Sequence, residues 1–183
     1  MRNKRIALLI LPFWLSLLNV TGCSEEAATN NTTSNATGTP HEVAPDFKLT
    51  LLDGGHFNLS DHKGKPVVVN FFASWCVPCG AESPVLDKIY RDYRSKGVSF
   101  VGVAVNDTES KARKFIERYG LSFPAGLDDT GDIKDAFGVY GMPTTYFIDG
   151  NGMISYLHPG GVTERLMQHE IDKMLAAGIR HES

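Results

Sequence analysis

Val67-Val68-Val69-Asn70-Phe71-Phe72-Ala73-Ser74-Trp75-Cys76-Val77-Pro78-Cys79 is the stretch whose reading decides the fold. Val67 to Phe72 is apolar except for Asn70, which predicts a strand buried on both faces rather than one that alternates between core and water. A helix is expected from Ala81 to Ser95, with Val85, Leu86, Ile89, Tyr90 and Tyr93 on its inner side. The two cysteines therefore fall where a buried strand hands over to a helix. Unpaired N–H groups and the dipole at a helix N-terminus favour negative charge, so Cys76 is expected to be the easier thiol to ionise and to act as nucleophile. Cys79, three residues on, can attack a mixed disulfide on Cys76 and resolve it. A zinc site is the competing reading. It calls for four ligands, and this is the only close cysteine pair in the chain. The histidines 41, 56, 62, 158, 169 and 181 have no ligand spacing and read as surface or loop residues.

Outward from this stretch the pattern stays α/β. Phe47–Leu52 and His56–Leu59, parted by Asp53-Gly54-Gly55, predict a hairpin. Val98–Val105 predicts a second buried strand. Glu109–Tyr119 predicts a helix turning Ala112, Phe115, Ile116 and Tyr119 inward. Strand, helix, strand implies a parallel pair with a right-handed crossover. A short helix at 133–137 follows, then a hairpin of Thr144–Ile148 and Met153–Leu157, then a closing helix over Thr163–Ala177. Pro84 removes a helical N–H and is expected to kink the first helix. The sum is a mixed sheet flanked by helices.

The whole chain has 183 residues, 42% apolar and 21% charged, with 3 cysteines. That suits one globular domain with appendages and excludes a disulfide-stapled miniprotein. Arg2, Lys4 and Arg5 are the only charges among residues 1–22, so the remaining 161 carry 15 basic and 21 acidic side chains, a net −6. No basic footprint for nucleic acid exists. The basic start followed by the apolar run Ile6–Val20 reads as a signal peptide, the run being short for a span that needs about 20 residues. It ends in Val20-Thr21-Gly22-Cys23, which resembles a bacterial lipobox and makes Cys23 a lipidation candidate. Residues 1–22 are thus expected to be a lipoprotein signal, 23–40 a lipidated cysteine and flexible linker, and 41–183 the domain. The linker lacks aromatic and large aliphatic residues and reaches on the order of 20–25 Å.

Trp75-Cys76-Val77-Pro78-Cys79 after the Val67–Phe72 strand, with Gly141-Met142-Pro143-Thr144-Thr145 downstream, resembles the thioredoxin superfamily. More narrowly it is similar to the TlpA/ResA/CcmG group of membrane-tethered extracytoplasmic thiol:disulfide oxidoreductases, over roughly residues 44–177. The resemblance implies a thioredoxin-like mixed sheet with an N-terminal hairpin and a central insertion, Phe123–Val139. It implies that Pro143 is a cis-proline facing the cysteines and that Met142 offers backbone groups to a substrate strand. Trp75 then shields the thiols and contributes to docking. Asn70 departs from the buried aspartate of the classical members. It is either a hydrogen-bonded core amide, or a sign that another group handles the Cys79 proton. Glu82 is that other group by resemblance, its alternative being a first-turn acid that stabilises the helix dipole.

The resemblance further implies reduction of protein disulfides in an oxidising compartment, with apocytochrome c as a candidate substrate and a membrane thiol transporter of the CcdA or DsbD kind as electron donor. No cofactor is expected besides the Cys76–Cys79 disulfide. A disulfide-donating oxidase and a metal-carrying or redox-sensing module are the alternatives. His158 lies downstream as the third ligand does in Sco-type copper proteins, but those have a CxxxC pair. A peroxidase would have a threonine three residues before its cysteine, where Ala73 stands.

Overall fold

A computed structural model describes residues 40–179. Cys23, the signal and nearly all of the linker lie outside the described residues. The elements are β1 (Lys48–Thr50), β2 (His56–Asn58), β3 (Val67–Phe72), α1 (Val77–Tyr93), β4 (Ser99–Val105), α2 (Glu109–Tyr119), β5 (Ala125–Asp128), α3 (Asp132–Ala136), β6 (Thr144–Ile148), β7 (Ile154–Pro159) and α4 (Glu164–Ile179). One sheet has the order β5-β4-β3-β6-β7, and β1-β2 form a separate hairpin. β3 runs parallel to β4 and β4 to β5, whereas β3–β6 and β6–β7 are antiparallel. This is the mixed sheet with N-terminal hairpin that the sequence predicts.

Alternation along the central strands builds two cores. Val68 and Phe72 of β3 with Phe100 and Ala104 of β4 pack towards Leu86 and Ile89 of α1, Phe115 of α2 and Met167 and Ile171 of α4. Val67, Val69 and Phe71 with Val101, Val103 and Val105 pack on the other side with Leu49, Phe57 and Phe137. Both faces are covered, so both sets of positions are apolar and the strands read as unbroken hydrophobic runs.

The helix after the cysteines begins at Val77, four residues ahead of the expected Ala81, and continues past Pro84 to Tyr93. Pro78 falls in its first turn, where its missing N–H needs no partner. The segment 123–139 is more than an insertion: its first part is β5, an integral strand of the sheet. Gly126 in β5 lies under the hairpin, where an added Cβ would stand 2.3 Å from the Thr50 carbonyl oxygen. Leu52 N–H bonds the Ala125 carbonyl at 2.8 Å alongside. At the opposite edge, His41 donates to the Ile154 carbonyl and Ile154 to the Glu42 carbonyl, each at 2.8 Å.

Candidate active site

The register brings the site together. β6 is antiparallel to β3 with Thr144 opposite Phe71, so the residues entering β6 come to the same end of the sheet as those leaving β3. Met142–Pro143, a cis peptide, and the Cys76–Cys79 pair thus share one pole of the domain. The cysteines form a disulfide with Cα atoms 5.3 Å apart. Cys76 is the N-cap of α1, its sulfur accepting from Cys79 N–H at 3.2 Å. Burial is unequal: Cys79 is 1% exposed and Cys76 6%.

The approach to the pair is held from a neighbouring loop. Asp107 accepts from Ser74 N–H at 2.6 Å and Ser74 Oγ at 2.9 Å, and also from Thr108 N–H. Trp75 donates its indole N–H to the Asn106 carbonyl at 3.0 Å while remaining 59% exposed. Asn106 has a left-handed backbone, φ 49°. Val77 and Tyr140 are also strongly exposed, so three large apolar side chains face water around the disulfide and the Met142–Pro143 loop.

Glu82 is in the second turn of α1 and buried, so the first-turn dipole reading does not hold. Its Oε1 accepts from Asn70 Nδ2 at 2.9 Å and its Oε2 from Val162 N–H at 2.9 Å. The Asn70 amide donates also to Thr145 Oγ1 at 3.0 Å. Asn70 is therefore a hydrogen-bonded core amide that binds the carboxyl group in question. Burial pushes the Glu82 pKa up to about 7, against the opposing pull of the two donors. Glu82 follows Cys79 by three residues, on the same side of the helix.

The sequence pattern assigns no role to Val162 or Asp107, and Thr145 enters it only as part of the Gly141–Thr145 motif, although Asp107-Thr108 ahead of a helix carries a capping signal, realised by Thr108 accepting from Lys111 N–H. His62 is half-buried and stacks on Phe57 instead of lying free on the surface. Phe71 and Phe72 are strand packing, as expected. Among the described residues no group of three or more His, Cys, Asp or Glu side chains could hold a metal ion.

A redox disulfide at the head of a helix, opposed by a cis-proline loop on a five-stranded mixed sheet, defines a thioredoxin-like thiol-disulfide oxidoreductase. Residues 40–157 match the model of the AhpC/TSA family, and the chain belongs to that family. It is 42% identical over 126 residues to the thiol-disulfide oxidoreductase ResA of Oceanobacillus iheyensis, covering 67% of this chain and 66% of that protein. A thiol:disulfide interchange protein of the thioredoxin family from Chlorobium tepidum superposes with a TM-score of 0.68 at 30% identity, over 75% of this chain and 97% of that one. A secreted Mycobacterium tuberculosis disulfide oxidoreductase homologous to E. coli DsbE gives a TM-score of 0.63 at 26% identity, over 69% and 95%.

Proposed function

We propose that this oxidoreductase works as an extracytoplasmic reductant of protein disulfides, with Cys76 as nucleophile, Cys79 as resolving thiol and Glu82 as the group that manages the Cys79 proton. The supporting observation is the buried Glu82 carboxyl, with a pKa near neutrality, one helical turn beyond Cys79. A group titrating near the working pH is suited to both accepting and returning a proton.

In the forward direction the Cys76 thiolate attacks one sulfur of the substrate disulfide, forming a mixed disulfide and releasing the other substrate sulfur, which takes up a proton. Glu82 as carboxylate removes the Cys79 proton, and the Cys79 thiolate attacks Cys76 Sγ. The second substrate sulfur leaves as a thiolate and takes up the proton that Glu82 accepted, and the Cys76–Cys79 disulfide remains. Two electrons pass to the substrate, and a separate dithiol donor must restore the pair. The substrate strand lies against Met142 and Pro143, with Trp75 covering the exchanging sulfurs. This placement fits three exposed apolar side chains around a disulfide that is itself nearly covered.

Apocytochrome c as substrate, a membrane donor of the CcdA or DsbD kind, and a lipid on Cys23 complete this reading, which draws on the likeness to ResA and to a secreted DsbE homologue. Equilibration of the domain with glutathione or dithiothreitol buffers tests the direction of electron flow. A potential well below that of glutaredoxins supports the reductant. One close to the oxidant DsbA, about −120 mV, overturns it.

A further inference from the structure

Beside the redox site, the end of β7 and the first turns of α4 enclose a groove of about 510 Å³, lined by His158, Gly161, Thr163, Arg165, Leu166 and His169. Two bonds make it continuous with the site. Gly160 N–H bonds the Pro143 carbonyl at 2.8 Å, and Val162 N–H bonds Glu82. The groove is lined by no acidic side chain, in a chain whose last 161 residues carry a net −6. Two acids adjoin lining residues in sequence: Glu164 turns its carboxylate to Lys88 at 2.8 Å and to Gln168 at 3.2 Å, and the buried Glu170 accepts from Lys173 at 3.1 Å while one of its oxygens lies 3.9 Å from the His169 imidazole. Arg165 is exposed and forms none of the ion pairs of the described residues.

We propose that this groove is a specificity surface that receives an acidic segment of the protein substrate, a carboxylate within a few residues of the disulfide cysteine. The Arg165 guanidinium offers a planar fork that matches a carboxylate, and the His158 and His169 imidazoles flank it. A substrate strand held at Met142 and Pro143 must pass the Gly160–Val162 loop, because that loop is bonded to Pro143 itself. Residues flanking the substrate cysteine then meet Arg165. A basic flank would meet the guanidinium as a like charge, so the groove rejects as well as selects. The inference rests on the reading that protein substrates dock beside Met142 and Pro143.

The test uses the dithiol form and three disulfide-bonded peptides of equal length, flanked by Asp, Ser or Lys. Each reduction rate is divided by the same protein's rate with a small neutral disulfide, hydroxyethyl disulfide. At low ionic strength the unmodified protein should reduce the Asp peptide about three- to tenfold faster than the Lys peptide, a preference that fades in 0.5 M salt. Arg165→Glu should invert the preference, and Arg165→Lys should keep its direction. An Asp-to-Lys ratio that is the same in the unmodified protein and Arg165→Glu overturns the groove's role. Normal turnover of the small disulfide with none of the three peptides reduced overturns instead the docking reading beneath it.

Discussion

Glu82 and Asn70 meet 2.9 Å apart, a buried carboxyl oxygen accepting from a buried amide, across twelve residues that include both redox cysteines. The contact ties α1 directly to β3. A charge on Glu82 is therefore felt by the central strand as well as by the helix that carries the cysteines.

Glu82→Gln should slow release of a reporter thiol from a Cys76 mixed disulfide by about 100-fold, the low end of what general base catalysis contributes. In the unmodified protein the rate should rise through pH 7 as Glu82 ionises, and the variant should lack that inflection. Stopped-flow measurement between pH 5 and pH 9 decides. A variant with the same profile would remove Glu82 from proton handling.

Stability of the oxidised form should show the same group. The folded pKa of Glu82 is raised, from 4.5 to about 7, so the folded state binds more protons than the unfolded state between those values. Stability then falls as pH rises through that window, by about 3 kcal/mol once pH exceeds 7. Denaturant titrations should show this loss in the unmodified protein relative to Glu82→Gln. Comparing the two cancels His62, whose pKa burial lowers and which acts in the opposite sense in both.

Asn70→Asp places a second carboxyl group against Glu82 and removes the donor to Thr145. Two like charges at this separation cannot both ionise cheaply in a buried site. The variant should lose much more stability at pH 8 than at pH 5, by thermal melts in matched buffers. Equal losses at both pH values would mean that only packing was disturbed.

Gly126→Ala should destabilise the domain by about 1–3 kcal/mol, because the new Cβ meets the backbone carbonyl of Thr50 at 2.3 Å and the hairpin must move. Hydrogen exchange at Leu52, whose N–H bonds Ala125, should rise with it.

Asp107→Ala removes the acceptor of both Ser74 groups and should cost about 1–3 kcal/mol of stability. By loosening the turn that carries Trp75 and Cys76, it should also slow exchange with peptide disulfides. Denaturant midpoints and peptide rates measured on the same preparation check both.

The parts of the fold that were legible are those in which local pattern and tertiary environment agree. β3 could be read from Val67–Phe72 because covering both faces leaves no polar position except Asn70. α2 is legible at Glu109–Tyr119 to the residue, since Thr108 caps its start and Gly120 ends it in a left-handed conformation. β5 carries little local signal, because Ala125-Gly126 is a weak strand former whose glycine is dictated by a hairpin some 75 residues earlier in the chain. The early start of α1 was hidden by Pro78 and Gly80, which read as helix breakers out of context. At the site, the cysteines, Trp75 and Pro143 carry their own spacing signal. Glu82 was visible as a candidate, yet its burial depends on Val162, 80 residues away, and on Asn70 across the sheet. No local pattern holds that information.

Among the described residues, both margins of the five-stranded ladder are covered at one end. On the β5 side Leu52 takes up the Ala125 carbonyl under the lapped hairpin, and on the β7 side His41 and Glu42 take up both groups of Ile154. Further along β7, Pro159 has no N–H to offer. A strand from another molecule finds little backbone to pair with. Among the described residues, edge-to-edge association between copies is thereby disfavoured at these two positions. Such a protein can be crowded without polymerising through its sheet.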